Sequence, residues 1–125
     1  MSVKHKKQFG VWMDTHHATI VGRADGTTDE FSVLGHASNA GAAGNSSEHT
    51  MQNKERTLQS QFFREITGLM PNAEEIHVTG TGTVQEQFIH HLAETPQFKN
   101  TATKECTSNK MSDEKLVEFI AGKFS

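Results

Sequence analysis

Glu75-Ile76-His77-Val78-Thr79-Gly80-Thr81-Gly82-Thr83-Val84 decides the fold. Residues 75–79 read as a short strand, the glycines at 80 and 82 turn the chain, and a helix begins at Val84. Val84, Phe88 and Leu92 recur at helical spacing, and Thr95-Pro96 stops the helix after Glu94. Thr101–Thr107 (TATKECT) then alternates as a last strand. A strand, a helix and a second strand joined this way lie parallel, with a right-handed crossover.

Upstream, the pattern changes to antiparallel. Gln8–Asp14 (QFGVWMD) places Phe9, Val11 and Met13 on one face and Trp12 on the other, as in a strand buried on both sides. Ala18–Gly22 is the next strand, Asp25-Gly26 a hairpin signal, and Thr28–Leu34 pairs back. Leu58, Phe62, Ile66 and Leu69 then mark one face of a helix from Thr50 to Leu69, ended by Gly68 and Pro71. Ser112 caps a final helix that buries Leu116, Phe119 and Ile120, with Phe124 a further candidate. Phe62, Ile66, Phe88, Phe119 and Ile120 are the expected core. The expected fold is α/β: a mixed five-stranded sheet, three strands in an antiparallel meander and two parallel, with helices packed on it. That is the layout of the ribonuclease-H-like architecture.

The 125 residues make one expected domain, 1–125, with a basic N-terminal arm at 1–7. A formal charge of -3 with 22% charged residues excludes nucleic-acid binding through bulk positive charge and leaves a local basic surface open. No apolar stretch of signal-peptide or membrane-spanning length occurs, so a soluble cytoplasmic protein is expected. The one cysteine, Cys106, forms no internal disulfide. No histidine or helix N-terminus is identifiable beside it, so it reads as a small buried or half-buried hydrophobe in a strand, with a nucleophile as the alternative.

Between the third strand and the first helix lies Gly35-His36-Ala37-Ser38-Asn39-Ala40-Gly41-Ala42-Ala43-Gly44-Asn45-Ser46. It holds nothing large to bury, and a flexible loop is expected over 35–49.

Four patterns invite chemistry. Asp14 ends the first strand where a metal nuclease would place a carboxylate, with Glu48, His49 and Glu55 available, but the fourth strand ends in Thr79-Gly80 and the cluster is incomplete. Asp14 otherwise accepts hydrogen bonds from the Thr15-His16-His17 backbone. Eight histidines suggest a metal. The pairs His16-His17 and His90-His91 diverge, however, and only a convergence such as His36, His49 and His77 would serve, so surface or boundary histidines are expected. Gly80–Val84 has the geometry of an anion site but lacks the lysine of a phosphate loop; the plain alternative is a tight turn with threonine capping. Lys54, Arg56 and Arg64 stand among Glu55 and Glu65 on the first helix, and with Lys4, Lys6 and Lys7 offer a modest basic surface for phosphate, the plain alternative being a mixed-charge solvated helix face.

The order of elements resembles the middle domain of eukaryotic and archaeal class-I peptide-chain release factors, shared with Pelota, and its stand-alone bacterial and archaeal relatives. The resemblance runs from about Phe9 to Phe124. It rests on Val11-Trp12-Met13-Asp14 followed by Ala18-Thr19-Ile20-Val21-Gly22, and on the loop before Gln61-Phe62-Phe63-Arg64-Glu65-Ile66. Ile76-His77-Val78-Thr79-Gly80, the next helix and Gln97-Phe98-Lys99 complete it. It implies a ribonuclease-H-like fold without nuclease chemistry. In release factors the loop carries Gly-Gly-Gln, whose glutamine positions the hydrolytic water. Here it reads Asn39-Ala40-Gly41-Ala42-Ala43-Gly44-Asn45, so no catalytic residue carries over. The expectation is a non-enzymatic, translation-related protein with a ribosome or tRNA as partner and no cofactor, metal or membrane. Contact is expected through Gly41, Gly44, Asn45, Lys54 and Arg56. A metal-dependent hydrolase or nuclease, and a self-associating module without RNA, are the alternatives. Oligomeric state is left open.

Overall fold

β1 (Gln8–Met13), β2 (His17–Arg23) and β3 (Phe31–Ser38) are followed by α1 (Glu48–Gly68), β4 (Glu75–Gly80), α2 (Thr83–Glu94), β5 (Ala102–Thr107) and α3 (Asp113–Lys123). This computed structural model describes residues 7–23, 30–39 and 48–124, with the side chains of 48–57 and of Thr83 outside the description. The sheet order is β3-β2-β1-β4-β5. The first three strands pair antiparallel, while β4 runs parallel to both β1 and β5. This is the expected mixed α/β sheet. The Asp25-Gly26 hairpin signal, the arm up to Lys6 and residues 40–47 of the loop lie outside the described residues.

Strand β3 continues through Gly35–Ser38, four residues that the sequence reading gives to the loop. Small side chains hid the strand, but the β2 register, His17 opposite Ser38 and Ile20 opposite Gly35, holds them in the ladder. The register shifts between Ile20 and Val21, leaving Leu34 as the extra residue of a bulge.

Both faces of β1 are buried, as its pattern requires. Phe9, Val11 and Met13 join Phe62, Phe63 and Ile66 of α1 and Val84, Phe88 and Leu92 of α2 in the larger core. Phe63 meets Phe88 edge to face at 5.2 Å between centroids. On the opposite face Trp12 and Val21 pack against Leu116 and Ile120 of α3. Gly10 permits this approach, because a Cβ there would fall 2.3 Å from Ile120 Cδ1.

Phe119 is a correction: it is half-buried, not core. Leu116 and Ile120 are four apart and face the sheet together, whereas Phe119 sits about 100° round the helix from Ile120. It flanks the interface, its ring edge-on to His77 and beneath the Lys123 ammonium.

Candidate functional site

The turn between β1 and β2 is set by Asp14. Its Oδ1 accepts from the backbone amides of His16 at 2.8 Å and His17 at 2.6 Å. The carboxylate therefore terminates the strand as a turn acceptor. At the next strand end, Gly80 passes so close to Met13 that a Cβ would lie 2.0 Å from the Met13 carbonyl oxygen.

The Gly80–Val84 turn is held differently from the expected threonine cap. Gly82 is the N-cap of α2, and its amide donates to Gln85 Oε1 at 3.1 Å. Gln85 Nε2 donates to the Cys106 carbonyl at 3.0 Å. A buried glutamine thus ties the start of α2 to the end of β5. Nothing in the local pattern distinguishes Gln85 from an exposed helical residue, and the signal appears only when β5 is placed beside β4.

Register also brings together a polar chain that the sequence reading missed. Thr79 of β4 lies opposite Cys106 of β5, and His77 opposite Lys104. All four project to the α3 face. His77 Nε2 lies 3.1 Å from Cys106 Sγ, the thiol donates to Thr79 Oγ1 at 3.2 Å, and Thr79 Oγ1 and Ser108 Oγ are 2.7 Å apart. Cys106 therefore does have a histidine beside it, from a neighbouring strand. Burial holds the His77 imidazole below its usual range, with Lys123 and Lys104 adding to the effect. His91 is also held low, chiefly by burial beside Phe63 and Phe88, with Arg64 reinforcing and Glu94 opposing.

The other histidines do not converge with His77. His36 Nε2 pairs with Asp113 Oδ2 at 3.1 Å across the surface, and the side chain of His49 is outside the described residues. Among the described residues, no three of His, Cys, Asp and Glu are grouped to hold a metal ion.

Of the expected contact residues, Gly41, Gly44 and Asn45 lie outside the described residues. Lys54 and Arg56 fall within α1, their side chains likewise outside the description. The ends of the loop are fixed: Asn39 N donates to His16 O at 2.8 Å just beyond β3, and α1 begins at Glu48. Lys7 closes the arm, its amide donating to Glu74 Oε2 at 2.8 Å. Among the described residues, no helix is long and apolar enough to cross a membrane.

No protein-family model and no curated protein matches the sequence. Solved structures do. The Pelota protein of Thermoplasma acidophilum superposes over 90% of this chain with a TM-score of 0.61 and 18% identity. The archaeal translation termination factor aRF1 matches over 93% with a TM-score of 0.56 and 13% identity. The Pelota of Archaeoglobus fulgidus matches over 94% with a TM-score of 0.51 and 12% identity. This chain spans about a third of each of those proteins, covering 31%, 34% and 33% of their lengths. At such identities the likeness establishes a shared fold.

Proposed function

We propose that this chain acts in translation, as a ribosome- or tRNA-associated domain of the release-factor middle-domain type, without hydrolytic activity of its own. The observation that carries the reading is the likeness of 93% of the chain to part of an archaeal translation termination factor, alongside the two Pelota proteins. The long glycine-bearing segment between β3 and α1 supports it, because the resemblance to the release-factor middle domain expects a glycine-rich loop before the long helix. Its composition supports a binding role: glycines at 41 and 44 let a backbone approach phosphate closely, and Lys54 and Arg56 follow on α1 with positive charge. Residues 35–49 contain no glutamine, so the group that positions water in release factors has no counterpart there. The ribosome places such a protein in the cytoplasm.

Co-sedimentation of the purified full chain with ribosomes tests the reading. The protein is expected in the ribosomal pellet at low salt and in the supernatant at high salt, with no peptide released from peptidyl-tRNA. A chain that stays in the supernatant at every salt concentration would overturn the ribosomal role. Peptide release abolished by Asn45→Ala would overturn the non-hydrolytic part and make Gly44-Asn45 a substitute motif.

A further inference from the structure

Helix α3 sits off-centre on its face of the sheet. It packs on β3, β2 and β1, with Phe124 stacked on Phe31 at 5.9 Å and Asp113 bonded to His36. At the far side β5 is the edge strand, where Ala102 and Lys104 are exposed on this face and Cys106 is half-buried. The result is a shoulder, with the flank of α3 on one side and β5 on the other.

Charge on this shoulder has one sign. Lys115, Phe119 and Lys123 recur every four residues, so they share one stripe of α3 roughly 12 Å long. The ring contact between Phe119 and His77 turns that stripe toward β4 and β5. Lys123 Nζ lies 5.1 Å over the Phe119 ring, and Lys104 lies opposite His77 on β5. After burial, Lys123 and Lys104 are what hold the His77 imidazole low, so cationic charge from two elements converges there. The acids are engaged or turned away. Asp113 is held by His36, and Glu75 accepts from Gln8 at 3.3 Å. Glu105 projects to the opposite face of the sheet, and Glu114 and Glu118 stand about 100° or more round α3 from Phe119. Among the described residues, no ion pair neutralises Lys104, Lys115 or Lys123.

We propose that the shoulder between α3 and β5 is an RNA-binding surface, on which Lys104, Lys115 and Lys123 contact backbone phosphates. It deepens the reading above and rests on its RNA partner. It adds a contact separate from Lys54 and Arg56, whose helix packs on the opposite face of the sheet. A chain of net charge -3 that binds RNA needs its cations segregated onto one surface, and the shoulder segregates them. An acidic peptide fits less well. Added to the edge of β5, it would meet Lys104 on one face and Glu105 on the other, so its carboxylates lose on one side what they gain on the other. Phosphates approaching from the α3 side meet the lysines without Glu105.

The test is fluorescence anisotropy of a labelled oligouridylate against the full chain across a salt series, with ribosome co-sedimentation of the same variants. The triple variant Lys104→Glu, Lys115→Glu, Lys123→Glu should weaken RNA binding at low salt by about tenfold or more and flatten the log–log salt slope by about 2, at about 0.7 for each lost contact on a single strand. All three side chains are exposed, so the denaturation midpoint should stay near that of the wild type. Lys104→Glu alone should weaken binding by about threefold or more, whereas Lys99→Glu, the same change in net charge at an exposed residue beyond α2, should stay within about twofold of wild type. An unchanged affinity and slope in the triple variant overturns the proposal, as does an equal loss from Lys99→Glu. Tighter binding of polyglutamate than of the RNA overturns it in favour of an acidic peptide. Wild-type pelleting with ribosomes that the triple variant keeps, with its RNA affinity also unchanged, would leave the ribosomal reading standing and remove the shoulder. RNA binding lost in the triple variant, with no pelleting even of the wild type, would keep the shoulder and remove the ribosome. Should the triple variant fail to fold, Lys104→Glu against Lys99→Glu decides.

Discussion

Beneath α1 and α2 the sheet buries a broad apolar layer, running from Phe9 and Ile20 through Phe62, Phe63 and Phe88 to Phe98. Beneath α3 the apolar layer is narrower, four buried residues among those described, and it shares the face with buried His77 and Thr79. The difference separates two tasks. Close-packed hydrocarbon on the first face supplies stability that depends on shape. Hydrogen-bonded polar groups on the second add little net stability but hold particular atoms in fixed relation. Mutations should therefore divide by face, with the largest stability losses expected beneath α1 and α2.

The largest effect is expected at Phe62, which is 1% exposed. Phe62→Ala should destabilise the fold by about 3–5 kcal/mol in denaturant titration. A near-neutral result would break the assignment of that face as the main core. Gly10→Ala tests the second face by overpacking, since the new methyl meets Ile120. It should cost about 1–3 kcal/mol, because α3 or Ile120 must shift.

The pH response sharpens the comparison further. His77 on one face and His91 on the other are both held below their usual range, burial being the leading cause in each. In the unfolded chain both would bind protons near about pH 6.5. Folded, they stay neutral to lower pH, so acid favours unfolding. Their contribution is fully present above about pH 6.5 and declines as the pH falls below it. Denaturation midpoints at about pH 7.5 and 5.5 should show that decline, and His77→Gln should reduce it. The smallest effect is expected at the exposed His36–Asp113 pair. Asp113→Asn should change stability by less than about 1 kcal/mol, read from the same titrations.

How far the sequence revealed this arrangement depended on how local the information was. Alternation in β1 announced a strand buried on both sides, because Trp12 alone among Phe9–Met13 sends a large apolar group the other way. Asp14 was legible as a turn acceptor because its partners are two and three residues away. Phe119 was misread because helical spacing defines a stripe without fixing which edge of it meets the sheet. The contact between His77 and Cys106 was invisible, since it depends on the register of two strands that are 29 residues apart at those positions. Gln85 was missed for the same reason, its partner being the carbonyl of Cys106. The proposed contact residues Gly41, Gly44 and Asn45 remain readings of sequence, outside the described residues.

The proposed ribosomal role is tested most directly by the salt dependence of binding. Affinity for ribosomes should be measured across a salt series for the wild-type chain and for the double variant Lys54→Glu, Arg56→Glu. Phosphate contact through the loop side predicts a steep fall of log affinity with log salt, and a slope shallower by about 2 in the variant, one for each lost contact. Binding indifferent to salt and to the double charge reversal would contradict the account.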